Sequence, residues 1–209
     1  MLAARQTTWQ NAAAVRVPVL LATYLVVALG AGGAVLTLRG SFDHPEPWFA
    51  LEPLSAHGYS ALLGVVLGLA IVAFSRWLLR LPIARELADA LAPATRAMTS
   101  GQIVLIALLS SLGEELLFRG LLAPYVGVVA SSVLFASLHQ VRGRARWLWM
   151  SFSLVVGLFV SLVYRGTGSL LGPLVAHALI NALNLHHLRG LKVPRSRRAE
   201  GLLSARSTT

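Results

Sequence analysis

S-S-L-G-E-E-L-L-F-R-G, residues Ser110–Gly120, sets two adjacent carboxylates and an arginine into otherwise apolar sequence. No charged residue occurs from Ala97 to Gly113 or from Gly120 to Leu138. An ionised group in a bilayer costs several kcal/mol unless it is paired or hydrated, so its presence there points to function. On a helix, Glu115 and Arg119 are i,i+4 neighbours and can pair. Glu114 points about 100° away from Glu115 and is left for another task. The stretch by itself fits two readings: a structural clamp with Glu114 facing water, or a functional intramembrane site.

The surroundings decide the fold class. Of 209 residues, 56% are hydrophobic and only 12% charged, with mean hydropathy +0.70. A soluble domain carries about 25% charged residues. The chain therefore reads as all-α, a polytopic transmembrane helical bundle. It has no cysteine, so disulfides, thiol chemistry and Cys-ligated metals are excluded. The net charge of +10 does not indicate nucleic acid, because the basic residues flank apolar runs as topology signals do.

Along the chain, Val17–Leu38 is an uncharged run long enough to span. A signal peptide competes here, but the run is long for one and no clear cleavage site follows. Arg39–Gly58 reads as an exposed loop and Tyr59–Leu79 as the second span. In Pro82–Thr95, Ala84, Leu87 and Leu91 alternate with Arg85, Glu86 and Asp89, as in a short interfacial helix. Further spans are expected at Thr99–Ala123, Val128–Gln140, Trp147–Tyr164 and Ser169–Leu188, with a turn at Pro124–Gly127. Residues 1–97 thus hold two spans and the interfacial helix, 98–188 a helical core, and 189–209 a basic tail suited to anionic lipid. With six spans and both termini cytoplasmic, only Arg39 and Arg165 of the 18 Lys and Arg fall outside, and Arg119 lies within the membrane.

Three more polar residues interrupt apolar helices: His139, His177 and Asn181. His177 and Asn181 are i,i+4 and share a helix face. At 1.5 Å per residue from the outer turns, Glu114, His139, His177 and Asn181 fall at one level, roughly 14–20 Å deep. A carboxylate, two imidazoles and an amide at one depth suit hydrolysis of a carbonyl compound. The carboxylate would act as base on water, and imidazole and amide N–H groups would stabilise an oxyanion. Glu114, His139 and His177 also make a His₂Glu set that would suit zinc.

E-E-L-L-F-R (Glu114–Arg119), F-A-S-L-H (Phe135–His139) and H-A-L-I-N (His177–Asn181) follow in order the motifs EExxxR, FxxxH and HxxxN. Over residues 98–188 the chain resembles the CPBP family of intramembrane proteases, which includes Rce1-like CAAX prenyl endopeptidases and bacterial Abi proteins. The resemblance implies that Glu114 and His139 activate water and that His177 and Asn181 form the oxyanion hole. It makes Glu115, Arg119 and Phe135 supporting residues. It implies a membrane-associated peptide or protein substrate, and it leaves open a metal-dependent and a metal-free glutamate mechanism, of which the second is expected. The compact size suggests a prokaryotic plasma membrane, with the site opening toward the cytoplasm. The competing function is a membrane immunity or scaffold protein that uses the same fold to bind a partner.

Overall fold

The computed structural model describes residues 2–191, with side chains from Val17 onward. The described residues form α1 (Leu2–Arg39), α2 (Pro53–Leu78), α3 (Pro82–Arg96), α4 (Ser100–Glu115), α5 (Ala123–Ser137), α6 (Ala145–Thr167) and α7 (Leu171–Gly190). A π-helical segment, Leu116–Leu122, joins α4 to α5. The fold is all-α, as expected, and no strand occurs among the described residues. Of the expected basic tail, 189–209, Arg189 and Gly190 belong to the end of α7, and 192–209 lie outside the described residues.

Local chemistry sets the helix ends. Pro53 and Pro82 stand in the first turns of α2 and α3, where the missing N–H is not needed. Thr99 opens α4 through a capping box: its hydroxyl accepts from the Gln102 N–H at 3.2 Å, and the Gln102 side chain accepts from the Thr99 N–H at 2.9 Å. Gly168 closes α6 in the left-handed conformation (φ 82°), its N–H bonding the Tyr164 carbonyl at 2.8 Å.

Among the described residues, four segments are long and apolar enough to cross a bilayer: Val17–Arg39, Pro53–Leu78, Ser100–Ser137 and Ala145–Thr167. The chain is an integral membrane protein. Ser100–Ser137 doubles back at Gly127 (φ 83°, ψ 166°) and so contains two of the expected spans. The Ser131 hydroxyl donates to the Phe118 carbonyl at 2.7 Å, and the Phe118 and Phe135 rings meet edge to face, joining the two arms. The expected turn at Pro124–Gly127 is confined to Gly127, since Pro124 lies in the first turn of α5. The sixth expected span, now α7, falls short of the others in hydropathy, because His177, Asn181, Asn184, His186 and His187 interrupt it.

α2 and α7 make the closest backbone contact. A Cβ on Gly64 would lie 2.3 Å from the Gly172 carbonyl oxygen, and one on Gly172 would lie 2.3 Å from that of Ser60. Ser60, Gly64 and Gly68, spaced by four, form the small-residue ridge that permits this approach. Gly64→Ala is therefore expected to lower thermal stability in detergent by about 1–3 kcal/mol, because backbone must move. Gly58→Ala on the same helix, where a Cβ meets nothing within 4 Å, should leave it unchanged.

Outside the bundle, residues 40–52 form a strap held on the α6–α7 turn. The N–H groups of His44, Trp48 and Phe49 bond the carbonyls of Gly168, Arg165 and Gly166 at 2.7, 2.9 and 3.1 Å. Burial, and then the nearby charges of Arg165 and Arg39, push the His44 imidazole down to about 4. Its neutral Nδ1 accepts from the Glu46 N–H at 3.1 Å. At the opposite end, α3 buries Ala84, Leu87, Ala88, Ala92 and Thr95 on one face, the pattern expected of an interfacial helix. The Glu86 carboxylate on its other side pairs with Arg144 of the α5–α6 loop, which holds that carboxyl below its usual range.

Candidate active site

α4 ends at Glu115, and the chain then widens into the π segment that carries Arg119. π turns are rare and concentrate at functional sites. Glu115 and Arg119 are both fully buried and pair at 3.1 Å, the clamp that their spacing predicts. Arg119 is also tied to α6: its Nε donates to the Ser161 hydroxyl at 3.2 Å and a terminal nitrogen donates to the Gly157 carbonyl at 3.1 Å. Its guanidinium lies 4.5 Å over the Phe135 ring. A side chain on Gly157 would press on that guanidinium, so the glycine leaves room for it.

Glu115 has a second partner that spacing alone does not predict. Its Oε1, which accepts from Arg119, also lies 2.7 Å from His177 Nδ1. A carboxylate held against a guanidinium is ionised, so Nδ1 is the donor and His177 Nε2 faces away from Glu115. Nε2 is 3.7 Å from Glu114 Oε2. His177 thus stands between the two adjacent glutamates.

Glu114, His139 and Asn181 line one cavity of about 610 Å³. Glu114 Oε2 is buried with no hydrogen-bond partner among the described residues. His139 lies two residues beyond the end of α5 and not within it, and its Nδ1 is 2.9 Å from the Phe135 carbonyl. A carbonyl can only accept, so Nδ1 carries the proton and the neutral ring keeps its lone pair on Nε2. Phe135 forms the platform of the site: its ring packs against His139 (4.5 Å), His177 (5.8 Å) and Arg119.

Two further residues border Glu114 and Asn181 without having been foreseen. The Ser110 hydroxyl, one turn before Glu114, accepts from Asn181 Nδ2 at 3.0 Å. Tyr24 of α1 brings its hydroxyl beside the Glu114 carboxylate. Gly113 allows this, because a Cβ there would lie 3.0 Å from the Tyr24 carbonyl oxygen and would push α1 away from α4. Ser110 carried a signal in its i,i+4 spacing to Glu114. Tyr24, 90 residues away in sequence, carried none.

Each named motif residue thus lies at the cavity or directly behind it. Chemically, the site offers a carboxylate with one oxygen free of hydrogen bonds, one imidazole with a free lone pair, a second imidazole between two carboxylates, and an amide with donor capacity. Among the described residues, no three His, Asp or Glu side chains converge as a metal-ligand set.

Residues 96–183 match the family model of type II CAAX prenyl endopeptidase Rce1-like proteins. Through this stretch, which is less than half of its length, the chain is similar to the Rce1-like family. The Rce1-like region runs from the end of α3 to α7 and includes every motif residue at the site. It leaves out α1 and α2, and with them Tyr24. The chain is also 34% identical over 98 residues to a Bacillus subtilis (strain 168) protein, "Uncharacterized protein YpbD", covering 47% of this chain. The match spans about half, 51%, of that relative's length. No solved structure matches the chain.

Proposed function

We propose that the protein is an intramembrane endopeptidase that hydrolyses a peptide bond of a membrane-associated protein or peptide. The Glu114 carboxylate carries this reading: it is buried, unpartnered at Oε2, and shares the cavity wall with His139. Glu114 takes a proton from water, with His139 Nε2 accepting the water's other hydrogen bond. The hydroxide adds to the scissile carbonyl carbon, and the C=O π pair moves onto oxygen. Asn181 Nδ2 and His177 Nε2 stabilise that oxyanion. Donation from His177 Nε2 requires the doubly protonated ring, and the two flanking glutamates supply the balancing charge. The intermediate collapses by breaking the C–N bond, with Glu114 returning the proton to the leaving amine.

The test compares peptidomes of membranes holding the wild-type chain with those holding Glu114→Gln. Fragments that disappear with the variant identify the substrate. Identical peptidomes, with the cellular phenotype retained, would leave the immunity or scaffold function in place of the protease.

The proposed mechanism uses no metal, because an amide such as Asn181 is a poor zinc ligand and suits an oxyanion donor. Purified protein is expected to keep its activity after exhaustive chelation and dialysis. Stoichiometric zinc, with activity proportional to occupancy, would overturn this.

We further propose that the cavity opens to the cytoplasm of a prokaryotic plasma membrane, with both termini on that side. The end carrying α3 and the α5–α6 loop also carries Arg80, Arg85, Arg96, Arg142, Arg144 and Arg146, whereas the strap end has Arg39 and Arg165. In this cysteine-free chain, Ser41→Cys should react with impermeant maleimide from outside and Arg142→Cys only after the membrane is opened. The reverse pattern would invert the topology.

A further inference from the structure

Among the described residues, the walls of the cavity carry two that are charged at neutral pH, Glu114 at the catalytic end and Arg76 at the cytoplasmic-end turn of α2, here called the mouth. Arg76 makes none of the ion pairs among the described residues. One terminal nitrogen donates to the Leu183 carbonyl of α7 at 2.7 Å, while Nε is buried without a partner. A desolvated guanidinium N–H with no acceptor is costly, and an anion at the mouth would relieve it.

Two more donors stand beside it. The Asn184 amide lies 3.0 Å from the Ser75 hydroxyl, which also donates to the Val72 carbonyl at 2.8 Å; either orientation of the amide leaves it at least one free N–H, and Asn184 lines the cavity together with His187. His187 is close enough to Arg76 to feel its charge. Asn184 is one turn beyond Asn181, which puts this cluster about 5 Å along α7 from the catalytic amide, toward the basic end of the protein. Between and around these groups the wall is aliphatic: Leu79, Leu87, Leu91, Leu185 and Leu188.

We propose that the cavity mouth is a binding site for an anionic phospholipid, with the phosphate on Arg76, Asn184 and His187 and an acyl chain along the leucines. An acyl chain suits these walls because it needs no hydrogen bonds. The mouth lies at the level of the interfacial helix α3, where headgroups of a negatively charged leaflet are available. The site lies in the same cavity as Glu114, and its occupancy can be read without any activity.

Native mass spectrometry of the full chain in detergent, with phosphatidylglycerol or phosphatidylcholine added, tests the site without any activity readout. Wild type should retain one phosphatidylglycerol in preference to phosphatidylcholine. Arg76→Gln should weaken that preference about tenfold, the effect of one charge-assisted contact. Arg80→Gln, an exposed arginine one turn on, corrects for general charge and should leave the preference unchanged. Asn184→Ala, which spares the Arg76–Leu183 bond, should weaken it as well. Equal losses in Arg76→Gln and Arg80→Gln would overturn the site. So would equal retention of the two lipids by wild type, or an undiminished preference in both Arg76→Gln and Asn184→Ala.

Discussion

Glu114→Gln is expected to lower peptide-bond cleavage by about 10²–10⁴-fold, the usual contribution of a general base, while folded yield stays at the wild-type level. The amide keeps the shape of the carboxyl group and cannot take a proton from water. Glu114 Oε2 accepts no hydrogen bond among the described residues, so the exchange breaks none there and removes only one of the two charges beside His177. Turnover should fall in kcat, with KM little altered, since the residue faces the reacting water and not the bulk of the substrate. Gel filtration and thermal melting of the same preparation report the fold. Cleavage retained within a few-fold of wild type would exclude Glu114 as the base.

Glu115→Gln should behave in the opposite manner. Its Oε1 holds both Arg119 and His177, and all three side chains are buried. Neutralising it leaves a buried guanidinium uncompensated, a loss of about 3–5 kcal/mol, against a total stability of about 5–15 kcal/mol. Folded yield should drop sharply, and whatever folds should be inactive because His177 loses the anion that orients Nδ1. Replacing both partners by leucine removes the stranded charge along with the carboxylate. The double variant, Glu115→Leu with Arg119→Leu, should therefore recover much of the yield while remaining inactive. If its yield is no better than that of Glu115→Gln alone, the ion pair is not what stabilises this part of the bundle.

These two adjacent glutamates also mark what could be read in advance. Helix spacing was enough to pair Glu115 with Arg119, because that contact is local. The second bond of Glu115, to His177, joins residues 62 positions apart, and only the packing of α4 against α7 creates it. Helix existence followed from apolar runs and from the amphipathic period of α3, but α1 begins at Leu2 rather than Val17, and α2 begins at Pro53, inside the expected loop Arg39–Gly58, rather than at Tyr59. The π segment left no trace, since L-L-F-R-G-L-L reads equally well as α-helical sequence. The depth comparison along three helices brought Glu114, His139, His177 and Asn181 to one level, although His139 lies just past the end of its helix. Tyr24 was invisible because α1 shows no pattern linking it to α4. Its partner there is a glycine, and a missing side chain announces nothing about what fills the space.

That contact between Gly113 and the Tyr24 carbonyl bears on how the chain can be cut and recombined. The segment shared with relatives, 96–183, carries all the motif residues, yet one wall of their chamber comes from α1 and its mouth from α2. A chimaera that grafts this segment onto the leading helices of another relative would inherit the reactive groups while exchanging part of their container. The unit that is recognisable in sequence is thus smaller than the unit that encloses the chemistry, and transplantation would have to respect the larger one.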